Sequence, residues 1–473
     1  MFSSLNPVPS FPRYRGPLSV GTSEYEILIS DISSTSKVPD PTISTIKFRT
    51  FYPTQSTEDE DFSARWLPEP QKEWVQAYCD FLNAPPKIAS FFSHIPIPLR
   101  YTTIPANRDA SFLSKGPSAR WPVLIFSHGL GGSCNAYSHL LGSLASCGVV
   151  CIAPEHRDQS APVSLIRQVD GSTKVVRYKK MSHDPSPEVL SQRNEQLRVR
   201  LWELELLYTA LSSLNNGENL KNLADTSAPS MSGKLDLGPS KVAWAGHSFG
   251  AATVVQFVKS VFWHQTVPET ASERRSRSMF QSLYTPAENS PLKEQITPQS
   301  PVVLLDLWTM PLRGDETLWL WEKPLPCYTG DEQPKNNVLA IMSEQFYNWT
   351  SLLERMKAVL SKNPAEQERS RGSSGTKSHG PRLFYSPNTA HLSQSDFGVL
   401  FPWATKKWLR AEEPERTLLL NTRAILQLLR ENQISVEGIK MEENAEGDEL
   451  TLNDELILAE HGNIQGWVPV PIG

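Results

Sequence analysis

The chain has 473 residues, of which 39% are hydrophobic and 21% charged, a composition that excludes a wholly disordered protein. Lys and Arg number 46 and Asp and Glu number 51, for a net charge of −5, so we expect no broad basic surface for nucleic acid. The 38 prolines outnumber the 25 glycines, which indicates many long, stiffened surface connections around a core.

The N-terminus and the cysteines favour an intracellular, cytoplasmic protein. Prolines interrupt the first 15 residues, which lack the apolar stretch of a signal peptide, and no run of about 18 apolar residues predicts a membrane span. Phe2 stands where N-myristoylation needs glycine. The five cysteines form no metal-type C-x-x-C pair, and we interpret them as small buried hydrophobic residues.

Strands and helices are predicted to alternate from residue 121 onwards, which indicates βαβ units and a mostly parallel central sheet flanked by helices. Apolar or alternating runs predict strands over Tyr25–Ile32, Ser44–Tyr52, Trp121–Ser127, Val149–Ala153, Lys241–Ala245, Pro301–Leu305, Asn337–Met342 and Arg382–Tyr385. Helices are predicted over Lys72–Leu82, Asn135–Ser146, Pro187–Asn215, Phe249–Trp263 and Tyr347–Leu360.

Three regions are expected from the changes in composition along the chain. A Pro-rich arm covers residues 1–24, an α/β domain covers 25–410, and a helical and acidic extension covers 411–473. Within the α/β domain, polar or low-complexity stretches at about 216–238, 265–300 and 364–380 are interpreted as loop insertions.

The most informative motif is Gly246-His247-Ser248-Phe249-Gly250, a G-x-S-x-G pattern. It follows the predicted strand Lys241–Ala245 and opens a predicted helix, which is the strand–turn–helix setting of a nucleophile elbow. Such a turn holds its central residue in a strained conformation and leaves no room for side chains at the two glycine positions. Ser248 is therefore the candidate nucleophile.

A glycine-rich loop after the strand Trp121–Ser127 supplies the second element of such a site. The sequence His128-Gly129-Leu130-Gly131-Gly132 lacks the signatures of a P-loop or a dinucleotide-binding loop. A backbone N–H from this loop and one from the residue after the nucleophile would form an oxyanion hole. We expect the main-chain N–H groups of Leu130 and Phe249 to be these donors.

The acid and the base should follow the serine in that order. Asp306 ends the strand Pro301–Leu305, where a carboxylate reaches over the edge of the sheet, whereas Asp315, Glu316, Asp331 and Glu344 lack that placement. Of the later histidines, His379 lies in low-complexity sequence and His461 in the tail, while His391 follows the last predicted strand by a short loop. We predict a triad of Ser248, His391 and Asp306, with a purely structural role for Asp306 or His391 as the alternative.

Several blocks together resemble the plasma and intracellular type II platelet-activating factor acetylhydrolases. They are F-S-H-G-L-G-G at 126–132, E-H-R-D-Q-S-A at 155–161, G-H-S-F-G-A-A-T at 246–253, L-D-L-W at 305–308, and His391 followed by Asp396-Phe397. The resemblance covers roughly residues 40–410. It implies an α/β-hydrolase fold and calcium-independent cleavage of the sn-2 ester of phospholipids that carry a short or oxidised acyl chain, with no cofactor or metal.

The sequence predicts substrate choice and membrane contact less specifically than it predicts the catalytic residues. The same machinery would serve a carboxylesterase of other small or secondary-metabolite esters, and a non-catalytic lipid-binding protein could share the fold. We expect at most peripheral membrane association. Its candidate side chains, for which core packing is the alternative, are Trp74, Tyr78, Phe81, Phe91 and Phe92.

Overall fold

A computed structural model of the chain describes residues 8–33, 36–55, 64–85, 87, 97–116, 119–224, 227–266, 282–329, 334–369, 380–439, 457–459 and 464–472. Some residues named from the sequence lie outside these ranges. They are Phe91, Phe92, Asp331, His379 and His461, together with most of the acidic stretch of the tail.

A large mixed sheet forms the centre of the protein, with a separate two-stranded hairpin beside it. The strands are β1 (Ser19–Leu28), β2 (Thr45–Thr54), β3 (Asn107–Arg108), β4 (Trp121–Ser127), β5 (Val150–Glu155), β6 (Val163–Arg167), β7 (Thr173–Arg177), β8 (Leu235–Asp236), β9 (Val242–His247), β10 (Val302–Leu305), β11 (Val338–Ser343), β12 (Arg382–Ser386) and β13 (Val468–Pro469). Their order is β13-β12-β11-β10-β9-β4-β5-β2-β1-β3, with β8 paired to β4 and with β6 and β7 forming the hairpin.

The middle of the sheet is parallel. Strands β5, β4, β9, β10, β11 and β12 pair in the same direction, while β2 and β13 join antiparallel at the two sides. The prediction of a mostly parallel sheet flanked by helices is confirmed. Because the carboxyl ends of parallel strands meet at one edge, side chains that follow β4, β9 and β10 come together there.

Helices cover both faces of this sheet. They are α1 (Gln71–Phe81), α2 (Ser138–Ser146), α3 (Pro187–Asn215), α4 (Phe249–Phe262), α5 (Leu292–Gln295), α6 (Leu318–Trp321), α7 (Glu344–Tyr347), α8 (Thr350–Leu360), α9 (Pro364–Arg369), α10 (Asp396–Leu400), α11 (Pro402–Leu409) and α12 (Pro414–Glu431). Helices α3, α4 and α8 pack into one apolar cluster, and α1, α2 and α12 into another.

Strand β4 shows how its sequence contributes to both clusters. Val123 and Ile125 belong to the cluster that contains α3 and α4, whereas Leu124 and Phe126 belong to the cluster that contains α2 and α12. Successive side chains on a strand point to opposite faces, so a continuous apolar run is what a strand covered on both sides requires.

Two predicted boundaries differ clearly from the structure. The first strand runs over Ser19–Leu28 rather than Tyr25–Ile32, because Ile29–Asp31 forms a 3₁₀ turn, and it therefore begins within the arm expected over 1–24. The helix predicted over Tyr347–Leu360 is two helices, α7 and α8. Residues of the expected 265–300 insertion also form structure, since α5 lies within it.

The C-terminal part of the chain is built into the same core. Helix α12 buries Leu420, Ala424, Leu426 and Leu429 in the cluster that covers one face of the sheet. Strand β13 pairs with β12 at the edge of the sheet. The expected division at residue 410 therefore does not separate two packed units.

Candidate active site

Ser248 lies in the sharp turn between β9 and α4. Its φ and ψ angles are 57° and −115°, a conformation that costs a non-glycine residue on the order of 1–3 kcal/mol. A Cβ atom on Gly250 would overlap the carbonyl of Ser127, and one on Gly246 would overlap the backbone of Gly250. The crowding explains why the elbow needs glycine at both positions.

The acid and the base meet at the carboxyl edge of the sheet, beside this turn. The Ser248 N–H donates to the carbonyl of Leu305 at 2.9 Å, which places the serine next to Asp306. The Nδ1 atom of His391 lies 2.9 Å from Oδ2 of Asp306. Asp306 is fully buried, and it also accepts hydrogen bonds from the N–H and the hydroxyl of Ser343 at 2.6 and 2.8 Å.

The imidazole of His391 is held between two other rings. Phe346 stacks on it, with ring centroids 4.3 Å apart and an interplanar angle of 4°. The centroid of the His247 ring also lies 4.3 Å away, with an interplanar angle of 34°. Burial, and then the proximity of His391, lower the pKa of His247 well below its usual value, so His247 is neutral at pH 7. The base is thus held by packing as well as by its hydrogen bond to Asp306.

The predicted oxyanion donors lie on either side of the nucleophile. Phe249 is the residue after Ser248, and Gly129 packs so closely that a Cβ on it would lie 3.0 Å from that of Ser248. In the part of the chain that the structure describes, neither the Leu130 N–H nor the Phe249 N–H has a hydrogen-bond acceptor. Two unpaired donors beside a serine are the arrangement that stabilises an oxyanion.

Asp396 anchors the segment that carries the base. This buried carboxylate accepts hydrogen bonds from the N–H and hydroxyl of Ser138, from the His139 N–H and from the Trp66 indole, at 2.6 to 2.9 Å. Burial raises its pKa to about 6. Since Ser138 and His139 begin α2, Asp396 ties the loop of His391 to the N-terminus of that helix, where a negative charge is favoured.

One group of side chains within the described ranges could bring metal-ligand atoms together. The candidate atoms of His247, Asp306 and His391 lie within 4.8 Å of one another. Asp306 and His391 already share a hydrogen bond, so an ion there would displace the proton that orients the imidazole. The group has the geometry of an acid–base pair, and the absence of a metal requirement stays a prediction.

A cavity of about 690 Å³ opens near the elbow, between the end of α1 and residues 177–184. Arg177 and Lys180 line it together with Asp80 and Asp184. On one side, Phe81 of this lining lies against Gly131 of the glycine-rich loop. On the other, the His183 ring lies 5.6 Å from Trp308, whose N–H donates to the Ser248 carbonyl at 3.2 Å. Phe81 and His183 of the cavity lining thus contact Gly131 and Trp308, which lie beside the elbow.

The structure thus brings together Ser248, Asp306, His391, Leu130 and Phe249. No hydrogen bond from the Ser248 hydroxyl is present among the described residues; in empty sites this contact is often long. Sequence reasoning overlooked the supporting side chains Ser343, Phe346 and His247. His247 was visible as the second residue of the elbow, whereas Ser343 and Phe346 carry no local signal.

The chain is similar to several known proteins. A family model described as "Platelet-activating factor acetylhydrolase, isoform II" matches residues 4–452. A protein of Schizosaccharomyces pombe named "Putative phospholipase A2" is 28% identical over 469 residues, covering 92% of this chain and 93% of that protein. The platelet-activating factor acetylhydrolase of Cavia porcellus is 32% identical over 254 residues, which is 52% of each chain.

A solved structure, a ferulic acid esterase from Streptomyces cinnamoneus, aligns with a TM-score of 0.45 and 14% identity, covering 89% of this chain and 92% of that one.

Proposed function

Since the chain belongs to the platelet-activating factor acetylhydrolase, isoform II, family, we propose that it hydrolyses the sn-2 ester of phospholipids with a short or oxidised acyl chain. At the coarser level it is a carboxylic ester hydrolase that acts on phospholipids. The finer activity, that of a 1-alkyl-2-acetylglycerophosphocholine esterase, is the proposal. The observation that carries it is the meeting of Asp306 and His391 beside the elbow of Ser248.

The proposed mechanism uses the side chains in the order that their positions suggest. His391 accepts the proton of the Ser248 hydroxyl as the oxygen attacks the sn-2 carbonyl carbon. The N–H groups of Leu130 and Phe249 donate to the resulting oxyanion. Protonated His391 then gives its proton to the glycerol oxygen, which leaves as the lysophospholipid. Water, activated by the same imidazole, hydrolyses the acyl-enzyme, while Asp306 keeps Nδ1–H in place.

The cavity beside the elbow fits a substrate of mixed charge. A phosphocholine headgroup carries one negative and one positive charge, and the cavity offers Arg177 and Lys180 together with Asp80 and Asp184. The cations would attract the phosphate and the carboxylates the quaternary ammonium. We propose that this cavity receives the headgroup while the short acyl chain lies at the elbow.

Helix α11 offers a surface for contact with a lipid aggregate. Trp403 and Trp408 are 66% and 69% exposed, and their rings lie 5.8 Å apart. Lys407 lies over the Trp403 ring at 4.7 Å, and Lys406 is next to it in the helix. Exposed tryptophans beside lysines suit the interface between headgroups and acyl chains, so we propose this surface for peripheral membrane contact. Trp74, by contrast, is 1% exposed and packs in the core.

A spanning segment is not part of this proposal, because no helix among the described residues is long and apolar enough to cross a bilayer. None of the five cysteines forms a disulfide bond among the described residues, which suits a reducing compartment. We therefore propose an intracellular location.

The decisive experiment compares phosphatidylcholines that differ only in the sn-2 chain. We expect a clear preference for sn-2 acetyl over a long sn-2 chain, with no requirement for calcium. Cleavage of small aryl esters but of neither phospholipid would favour the alternative carboxylesterase. Binding of lipid vesicles without hydrolysis of any ester would favour a non-catalytic lipid-binding protein.

A further inference from the structure

The peptide that joins Gly129 to Leu130 is held from one side. Its carbonyl, on Gly129, accepts a hydrogen bond from Nδ1 of His128 at 2.9 Å and another from the Gly132 N–H at 3.2 Å. The C=O and N–H of a trans peptide point in opposite directions. The Leu130 N–H is therefore turned away from these two donors, and this N–H is the proposed oxyanion donor of the loop.

The two groups that contact the His128 ring determine which of its nitrogens carries the proton. The main-chain N–H of His156 can only donate, and it lies 3.1 Å from Nε2 of His128. The Gly129 carbonyl can only accept, so the ring is neutral with its hydrogen on Nδ1. Burial, and then the charge of Arg200, lower the pKa of His128 to about 3, which keeps this form across the neutral range.

His156 is itself fixed by groups from two other elements. Its ring lies 2.8 Å from the hydroxyl of Ser127, at the end of β4, and 2.8 Å from a carboxylate oxygen of Glu203 on α3. The second oxygen of Glu203 accepts the Arg157 N–H at 2.9 Å. Ser127, His156 and Glu203 are hydrogen-bonded in the same sequence of groups as a catalytic triad. Because Ser127 and His156 have no exposed surface, they support the loop and do not form a second site.

We propose that His128 is a positioning residue of the oxyanion hole: its Nδ1–H, set by the His156 main chain, holds the Gly129–Leu130 peptide with the Leu130 N–H facing the reacting carbonyl. The inference rests on the proposed function, because it needs an ester carbonyl at Ser248. Without this hydrogen bond only the Gly132 N–H still holds the Gly129 carbonyl, so the peptide rotates more easily. Rotation would replace the donor with a carbonyl oxygen that repels the oxyanion.

A pair of amide substitutions separates this role from simple packing. Asparagine places its amide near the position of Nδ1, whereas glutamine places its amide near Nε2. His128→Asn can therefore still donate to Gly129, and His128→Gln can only replace the contact with His156. We expect His128→Gln to lower kcat about 10²-fold with little change in KM, and His128→Asn to stay within about threefold of wild type.

Two further readouts distinguish positioning from loss of stability. The ratio of kcat for an aryl acetate to kcat for the matching thionoacetate should fall in His128→Gln, because sulfur accepts hydrogen bonds weakly and gains less from the hole. His264→Gln is the matched control, since Nδ1 of His264 also lies within hydrogen-bond distance of a main-chain carbonyl, that of Val261 at 2.7 Å, but at the far end of α4. It should leave both kcat and this ratio unchanged.

The ring nitrogens of wild-type His128, observed by ¹⁵N NMR after selective labelling, test the assignment without any substitution. A proton on Nδ1 is expected, and a proton on Nε2 overturns the proposal even if no variant folds. Equal losses in the two variants, or full activity in His128→Gln, overturn it as well. A wild type that hydrolyses no ester would instead contradict the proposed function and leave the tautomer readable.

Discussion

His391 and Asp306 are 85 positions apart in the chain, yet their side chains meet with 2.9 Å between Nδ1 and Oδ2. Asp306 directly follows β10, and His391 follows β12 by a short loop. Only β11 lies between these two strands in the sheet, and its last residue, Ser343, donates two hydrogen bonds to Asp306. Asp306, the candidate acid, is therefore itself fixed by the strand that lies between it and the candidate base.

Removing the nucleophile should abolish hydrolysis. We expect Ser248→Ala to lower kcat by about 10⁴-fold or more, because no other hydroxyl occupies the elbow. Ser260→Ala is a suitable control, since Ser260 is buried on the same helix, α4. Hydrolysis of an sn-2 acetyl phospholipid at equal rates by wild type and Ser248→Ala would remove Ser248 from the mechanism.

Substitution of Asp306 should lower kcat more than substitution of Ser343, which supports it. Asp306→Asn should lower kcat by about 10⁴-fold, because the NH₂ of an amide beside Nδ1 donates a hydrogen bond where the carboxylate accepts one, which favours the wrong tautomer of the imidazole. Ser343→Ala removes one of three hydrogen bonds to the carboxylate and should cost about tenfold. Steady-state kinetics and thermal unfolding of both variants check this order. A larger loss in Ser343→Ala than in Asp306→Asn, at equal stability, would contradict the assigned roles.

The exposed tryptophans of α11 should matter only for aggregated substrate. We expect the double substitution Trp403→Ala and Trp408→Ala to lower kcat/KM on phospholipid vesicles about tenfold or more, since each ring contributes apolar area at the interface. Hydrolysis of a soluble aryl acetate should be unchanged. Trp349→Ala is the control, because Trp349 is also exposed, at 48%, but lies at the start of α8. An equal effect of the control would argue against a specific surface.

Lys259 should make stability depend on pH. Burial lowers the pKa of this lysine to about 7, and its ammonium donates to the Leu320 carbonyl at 3.2 Å. The unfolded chain therefore holds more protons than the folded chain between pH 7 and about 10, so this lysine makes stability rise with pH there. Below pH 7 both states are charged and the full destabilisation remains.

The Lys259→Met variant, which keeps the shape of the side chain without its charge, tests this effect. It should be more stable than wild type at pH 6, by on the order of a few kcal/mol, and the advantage should shrink by pH 9. Urea unfolding at the two pH values measures it. An advantage that grows with pH would show that the pKa of Lys259 is not lowered.

A chelator should leave the enzyme active. The atoms of His247, Asp306 and His391 that could bind a metal include the pair that shares the proton between acid and base. We therefore expect EDTA to leave kcat unchanged and excess Zn²⁺ to inhibit by competing for the His391 imidazole. Loss of activity in EDTA that Ca²⁺ or Zn²⁺ restores would contradict the proposed metal independence.

Much of the fold and the key residues could be predicted because the signals are local. The apolar runs of β4 and β10 mark buried strands, and the glycines around Ser248 mark a turn too sharp for other residues. His391 could be chosen over His379 and His461 because it follows a predicted strand. In each case a short stretch of sequence carries the physical requirement.

The rest depends on contacts between distant residues. The amphipathic α12 looks like a separate extension until the sheet supplies the face that its leucines cover. Trp74 resembles a membrane anchor in sequence, but its side chain on helix α1 faces the core. Serine and aspartate are common residue types, so the sequence does not single out Ser343 or Asp396. Only the fold shows which groups they bind.

The placement of α12 and β13 has a consequence for the order in which the protein can be made. Part of one face of the sheet stays uncovered until residues 414–431 have emerged from the ribosome, even though Ser248, Asp306 and His391 have all been synthesised by then. A nascent chain that has passed His391 still exposes the apolar side chains that Leu420, Ala424 and Leu429 later cover, and it is vulnerable to aggregation there. We therefore expect hydrolytic competence only after α12 has been translated.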